Sequence, residues 1–188
     1  MSGQVRHLEA SLLDDFFCLH CDANQGGWCH CVAWWVATWE GWGDRTAAQN
    51  RELREQLFAR GELDGYLLYE AGEPVGWCQV GPRDRLEKLR QQFALEPDPQ
   101  VWAITCFLIA PRMRGFGHAS KLLDQVLEDL RGRGVRFVEA YPKRGTGLTP
   151  LDLWTGPESM FRRRAFQVVH DDPARPVLSL DLGLNKEP

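Results

Sequence analysis

The stretch Phe107-Leu108-Ile109-Ala110-Pro111-Arg112-Met113-Arg114-Gly115-Phe116-Gly117-His118-Ala119 constrains the fold more than any other part of the chain. The apolar run over 101–110 reads as a buried strand, Pro111 stops it, and glycines follow. A helix over 117–131 then opens with Leu122, Leu123, Val126, Leu127 and Leu130 on one face. Residues 135–141 read as another strand, so the segment forms a strand–helix–strand unit of an α/β domain. The N-terminus of a helix carries unpaired N–H groups and the positive end of its dipole, which suits an anion. Glycine there lets the backbone approach a ligand closely. The charged residues between Ala110 and Lys121 are Arg112, Arg114 and Lys121, with no acid, in a chain of net charge −4. A basic island in an acidic chain points to an anionic ligand.

Three phosphate-binding patterns compete for this turn. A dinucleotide GxGxxG would start at Gly115, but Ser120 stands where its third glycine belongs. A Walker A loop needs GxxxxGK followed by Ser or Thr, and no such run occurs. The pattern Arg/Gln-x-x-Gly-x-Gly/Ala is met in full by Arg114-Gly115-Phe116-Gly117-His118-Ala119.

The rest of the chain alternates helical and strand-like stretches and suits one domain over 1–188. A short strand over 5–8 leads into a helix over 9–21, broken at Asn24-Gln25-Gly26-Gly27. Asp44 is expected to cap a helix reaching Arg60, with Ala47 in place of the Glu of a full capping box. Strands over 65–70 and 74–80 form a hairpin across Ala71-Gly72-Glu73. A charged helix over 83–93 precedes the central strand. A Gly-, Thr- and Pro-rich loop over 143–157, a short helix over 158–164 and a strand around 178–182 complete the chain. With Lys plus Arg at 22 against Asp plus Glu at 26, no basic face for nucleic acid is expected. The longest apolar run, 31–37, is too short to span a bilayer, so no membrane partner is expected. No signal peptide is evident, which places the protein in the cytoplasm with reduced cysteines.

The phosphate turn, the strand before it, the helix and strand after it, and Met160-Phe161-Arg162-Arg163-Arg164-Ala165-Phe166 together resemble the GNAT superfamily of acetyl-CoA-dependent N-acetyltransferases. The last segment is similar to that family's Leu-Tyr-x-x-x-Gly-Phe element, and the hairpin over 65–80 fits as well. The resemblance implies a mixed central sheet flanked by helices, with an acetyl-CoA-binding core over 101–141. A Trp- and Cys-rich elaboration over 28–60 would lie on the acceptor side. That elaboration, with Ala140-Tyr141-Pro142, looks similar to a bacterial subgroup of the superfamily.

The resemblance implies acetyl-CoA as donor and a small-molecule or peptide primary amine as acceptor, with a homodimer left open. Phe107, Leu108 and Ile109 would bond the pantetheine arm and the acetyl group. Backbone N–H groups of Gly115, Phe116, Gly117, His118 and Ala119 would hold the pyrophosphate, with Arg114 adding charge. A general base must deprotonate the amine. The central strand has no carboxylate, so Glu139 is expected as base and Tyr141 as acid, sharing one face of the next strand. Phe161 stands where many members have a tyrosine that protonates the departing thiolate, and Ala165 stands at the glycine position. These departures keep a second reading in view, a non-catalytic acyl-CoA-binding or sensing domain. Direct attack by the amine is expected, because a covalent route needs an activated cysteine beside a histidine, and Cys106 has none next to it in sequence.

Cys18, Cys21, Cys29 and Cys31, with His20 or His30 as alternates, have the look of a zinc set. Against it, Cys18 and Cys21 would lie on the apolar face of their helix, and Cys-x-Cys is tighter than the usual ligand gap; no metal is assigned. Trp34, Trp35, Trp39 and Trp42 are expected partly to line the acceptor pocket and partly to cover the sheet. Glu40 and Asp44 are candidates to meet a substrate ammonium. Arg162, Arg163 and Arg164 read as a solvated helix end that could also reach the nucleotide phosphates.

Overall fold

A computed structural model describes residues 3–23 and 27–183. The expected break at 24–26 lies outside the described residues. Seven strands form one sheet in the order β1-β2-β3-β4-β5-β7-β6: β1 Gln4–His7, β2 Gly65–Glu70, β3 Glu73–Pro82, β4 Val101–Ile109, β5 Phe137–Ala140, β6 Gln167–His170 and β7 Val177–Asp181. All neighbours are antiparallel except β4 and β5, which run parallel. A parallel pair needs a crossover, and the helix α4, His118–Gly132, supplies it.

The helices cover both faces. α4 presses Leu122, Leu123, Val126, Leu127 and Leu130 onto one face, against Ile104, Phe107 and Val138, with Met160 and Phe161 of the short helix α5, Glu158–Arg162. The other face carries α1 (Leu13–Ala23), α2 (Ala47–Ala59) and α3 (Glu87–Gln92). There Phe16 of α1 packs with Trp77 and Cys106. Trp34 meets Leu89, Phe93, Ala103 and Tyr141 in a neighbouring cluster.

Local chemistry accounts for the departures from expectation. The helix of 44–60 begins later than Asp44 because Thr46 accepts from the Gln49 N–H while the Gln49 side chain accepts from the Thr46 N–H, a complete capping box. The charged helix of 83–93 is split into a 3-10 turn and the short α3. Cys18 and Cys21 face solvent and are not on the apolar face of α1, which buries Phe16, Phe17, Leu19 and His20 instead. β6 was not anticipated; it holds the edge of the sheet with Val169 exposed.

One backbone feature positions the site. The Ala110 N–H donates to the Val75 carbonyl at 2.9 Å. Alternation along an antiparallel ladder then turns the N–H and C=O of Ile109, opposite Gly76, and of Phe107, opposite Cys78, away from β3. Pairing of β4 with β5 stops at Ile104 and Ala140. The parallel strands therefore part, and β4 presents to the gap an edge over 105–109 that β5 does not pair.

Candidate active site

A cavity of about 820 Å³ opens along this gap. Phe107, Leu108 and Ile109 of β4 line its middle, and Arg114 and Ala119 line one end. Trp28, Trp34, Trp39 and Trp42 line the other. The expected tryptophan pocket is thus present with a changed membership: Trp35 packs beside Val32, Leu57 and Leu63, while Trp28 and Trp154 face the cavity. Glu40 and Asp44 are exposed and do not line it. Among the described residues, the charged side chains that do are Arg114 and Arg175.

At the turn, Gly115 and Gly117 hold φ values of +83° and +82°, and a Cβ on either would meet nothing within 4 Å. Conformation calls for glycine here, and the space in front of the backbone is open. Gly117 is the N-cap of α4 and no side chain caps it, so the first N–H groups of a 15-residue helix remain available to a ligand. Phe116 projects into solvent at 76% exposure. His118 and Lys121 both approach Glu70, with Nδ1 3.6 Å and Nζ 3.2 Å from its Oε1. Arg114 donates from Nε to the Ile109 carbonyl at 2.9 Å, fastening the turn to the strand. The Phe107 N–H donates to the Trp154 carbonyl at 2.7 Å, so the chain itself occupies part of the gap. Arg164 is committed to α4, where its Nη2 donates to the Ser120 carbonyl and to Asp124, and Arg162 pairs with Glu158.

Glu139 and Tyr141 do share a face, but neither lines the cavity. The Tyr141 hydroxyl donates to Glu139 Oε2 at 2.5 Å, and Arg83 Nη1 donates to both carboxylate oxygens at 2.9 and 3.0 Å. All three side chains are buried. Burial and the Glu139 charge push the Tyr141 phenol well above its usual range. Both carboxylate oxygens of Glu139 are engaged by Arg83, and one of them by Tyr141 as well.

The third element is a cysteine–histidine cluster on the α1 side of the cavity. Cys31 Sγ lies 3.1 Å from His20 Nε2 and 2.8 Å from Cys106 Sγ. His20 Nδ1 is 2.7 Å from the Phe16 carbonyl, an acceptor only, so Nδ1 carries a hydrogen and Nε2 faces the sulfur. Cys31 and Cys106 both line the cavity. Burial alone would push the Cys31 thiol up. Hydrogen bonding from Cys106, the charge and hydrogen bond of His20, and the charge of Arg54 outweigh burial and hold it well below its usual range. Hydrogen bonding to Cys31, with burial, pushes Cys106 up. Sequence spacing hides this contact, which joins residues 11 and 75 positions apart. As for zinc, no three His, Cys, Asp or Glu among the described residues are grouped to hold a metal.

The comparisons with known proteins agree with this architecture. A family model described as "Acetyltransferase (GNAT) family" matches residues 28–145. An N-acetyltransferase from Staphylococcus aureus Mu50 superposes with a TM-score of 0.58 at 14% identity, covering 97% of this chain and 100% of its own. A GNAT family acetyltransferase from Brucella melitensis, solved with acetyl-CoA, gives 0.57 at 16% identity over 97% of this chain and 89% of its own. A GNAT-like decarboxylase in complex with isobutyryl-CoA gives 0.57 at 17% identity over 96% of this chain and 100% of its own. At such identities the likeness shows the fold alone, and the last structure carries a different reaction on it. No curated protein matches the chain.

Proposed function

Because the chain belongs to the GNAT family of acetyltransferases, we propose that it transfers an acetyl group from acetyl-CoA to a primary amine. The observation that carries this reading is one cavity lined by Arg114 and Ala119, which flank the glycine turn, by residues 107–109 of β4, and by the tryptophans. The pyrophosphate rests on the N–H groups from Gly115 to Ala119, where no side chain intrudes and the helix dipole favours negative charge. Pantetheine takes up the β4 edge as an added strand would, and the outward N–H of Ile109 polarises the thioester carbonyl. The acceptor enters from the tryptophan end. Its lining is apolar and, among the described residues, holds no carboxylate, which suits an amine on an apolar body that reacts as the free base. The Glu139–Tyr141 pair belongs to the scaffold beneath the site, held by Arg83. Direct attack was expected because no histidine adjoins Cys106 in sequence. That observation on Cys106 stands, but His20 lies 3.1 Å from a different cysteine, Cys31, and the covalent route this contact opens is taken up below.

Calorimetric titration with acetyl-CoA tests the reading, with Gly117→Asp as the control. The new Cβ meets nothing within the fold, so the variant stays folded, with the backbone strain of φ +82° partly offset by an Asp at the N-cap. Its carboxylate stands where the pyrophosphate binds. Loss of two charge-assisted bonds at roughly 1.5 kcal/mol each weakens binding about 100-fold. One-site binding by the natural chain, lost in the variant, supports the reading. No binding to the folded natural chain overturns it. Binding without turnover over a broad amine panel selects the non-catalytic acyl-CoA-binding domain, which the buried Phe161 also favours.

A further inference from the structure

We propose that Cys31 is an acyl acceptor, receiving the acyl group from the CoA thioester as a covalent thioester on Sγ before the amine takes it. The inference rests on the acyl-CoA reading above and names the route through the same cavity. Three independent features place a nucleophile here. His20 is oriented by the Phe16 carbonyl so that Nε2 meets Cys31 Sγ, the arrangement in which an imidazole takes a thiol proton. Cys106, the β4 residue next to Phe107, directs its thiol at the same sulfur, so the cluster adjoins the strand edge assigned to pantetheine. Arg54 is fully buried, bonded through Nη1 to Gln79 Oε1 at 2.8 Å. Its Nε and Nη2 have no hydrogen-bond partner among the described residues. Burial lowers the Arg54 pKa to about 10, so it remains charged at neutral pH, and negative charge on Cys31 or Cys106 would raise it again. A buried cation without a carboxylate is costly; the guanidinium lies over the rings of Phe16 and Trp77, 4.1 and 5.0 Å from their centroids, and its charge favours the thiolate form of Cys31.

The backbone adds a fourth sign. His30 and Cys31 are consecutive non-glycine residues at φ +45° and +56°. Each costs on the order of 1 kcal/mol and persists only where the surroundings hold it. The left-handed pair turns Cys31 inward to His20 and Cys106 while its neighbour Cys29 also reaches the cavity wall.

The step balances as follows. His20 Nε2 takes the Cys31 proton and Sγ attacks the thioester carbonyl carbon. The new carbon–sulfur bond forms, the bond to the coenzyme A sulfur breaks, and the proton on Nε2 passes to that departing sulfur. In the second half the amine nitrogen attacks the Cys31 thioester. A carbon–nitrogen bond forms, the bond to Sγ breaks, and the amine proton returns through Nε2 to Cys31. No oxidant or further reactant is needed.

Mixing the full chain with acetyl-CoA, without acceptor, and quenching in acid tests the proposal by peptide mass spectrometry. The expected result is one acetyl group on the peptide containing Cys31, released by hydroxylamine and discharged on adding an amine. Cys31→Ser abolishes it while keeping calorimetric affinity for acetyl-CoA. His20→Asn slows its formation by about 100-fold or more, as loss of a general base does. Cys18→Ser, an exposed cysteine, leaves it intact. Parallel double-reciprocal lines against amine accompany this result. The proposal is overturned if acetyl-CoA binds and turns over while Cys31→Ser keeps its rate, or if label appears only on Cys18. Either outcome leaves the acyl-CoA reading standing. Failure of acetyl-CoA to bind the folded natural chain overturns both.

Discussion

Replacing Tyr141 with phenylalanine separates a scaffold role from a catalytic one. The ring is fully buried and packs against Phe93 at a centroid distance of 5.0 Å, so phenylalanine fills the same space and only the hydroxyl is lost. That hydroxyl donates to Glu139 Oε2, and Glu139 keeps both bonds from Arg83 without it. A hydrogen bond to a charged group is worth about 1.5–3 kcal/mol. With the carboxylate still paired, the lower part of that range applies, about 1.5–2 kcal/mol. For a chain of this size each kcal/mol moves Tm by about 2–4 °C, so the melting point should fall by about 3–8 °C. Calorimetric melting gives that number, and coenzyme A release with a competent amine gives kcat below the melt. We expect kcat to stay within about twofold, whereas removal of a general acid costs roughly 10²–10⁴. A kcat loss of about 100-fold with an unchanged Tm would refute the scaffold assignment and return Tyr141 to the chemistry. Glu139→Gln gives the companion measurement. It strips the charge facing the buried Arg83, and breaking a buried pair costs about 3–5 kcal/mol, roughly twice the Tyr141→Phe loss.

Three further outcomes follow from local geometry. Thr46→Ala removes one half of the capping box and should cost about 1 kcal/mol, read as a Tm drop of about 2–4 °C by circular dichroism. Ala165 sits at φ +62°, a strained conformation worth about 1–2 kcal/mol; Ala165→Gly relieves it at an entropic cost of about 0.5–1 kcal/mol, so a small net gain should appear in urea unfolding. The hydrogen bond from Arg144 lowers the Glu158 pKa from 4.5 to about 2, so between those values the unfolded chain binds the proton and the folded chain does not. Stability is therefore present above pH 4.5 and lost as the pH falls towards 2, and Glu158→Gln should flatten that limb of the acid-unfolding curve.

The parts of the fold that the sequence makes legible are those in which one element explains itself. α4 declares its face through Leu122, Val126 and Leu130, and β4 through an unbroken apolar run closed by Pro111. The cap of α2 is legible too, since Thr46-x-x-Gln49 is a capping signature, but the nearby Asp44 competes for the same role. β6 escapes because its four residues hold only Val168 and Val169 between polar neighbours, and its place comes from pairing with β7. The Glu139–Tyr141 pairing follows from strand alternation, whereas its distance from the cavity depends on Arg83, 56 positions away, reaching in from beyond β3. The contacts of Cys31 depend on α1, the turn at His30 and β4 converging, and no local pattern encodes that. The Cys-x-Cys with its intervening histidine marks the region but names the wrong partners.

Phe161 bears on where the proton for the departing sulfur comes from. Its ring is fully buried, 6.0 Å from Phe107 and 5.3 Å from Phe166 by centroid, so the position contributes packing and offers no hydroxyl. Protonation of a departing sulfur then falls to another group at the cavity or to solvent. Among the described residues, its titratable lining side chains are Cys29, Cys31, Cys106, Arg114 and Arg175. Guanidinium groups do not release protons at neutral pH. Burial pushes Cys29 up to about 12, and Cys106 is pushed well above its usual range by its bond to Cys31. Of the three cysteines only Cys31 is held below its usual range, with His20 Nε2 3.1 Å from its sulfur. On the covalent route proposed above, that contact would bring the proton to the departing sulfur from the α1 side of β4, and no hydroxyl at 161 is needed.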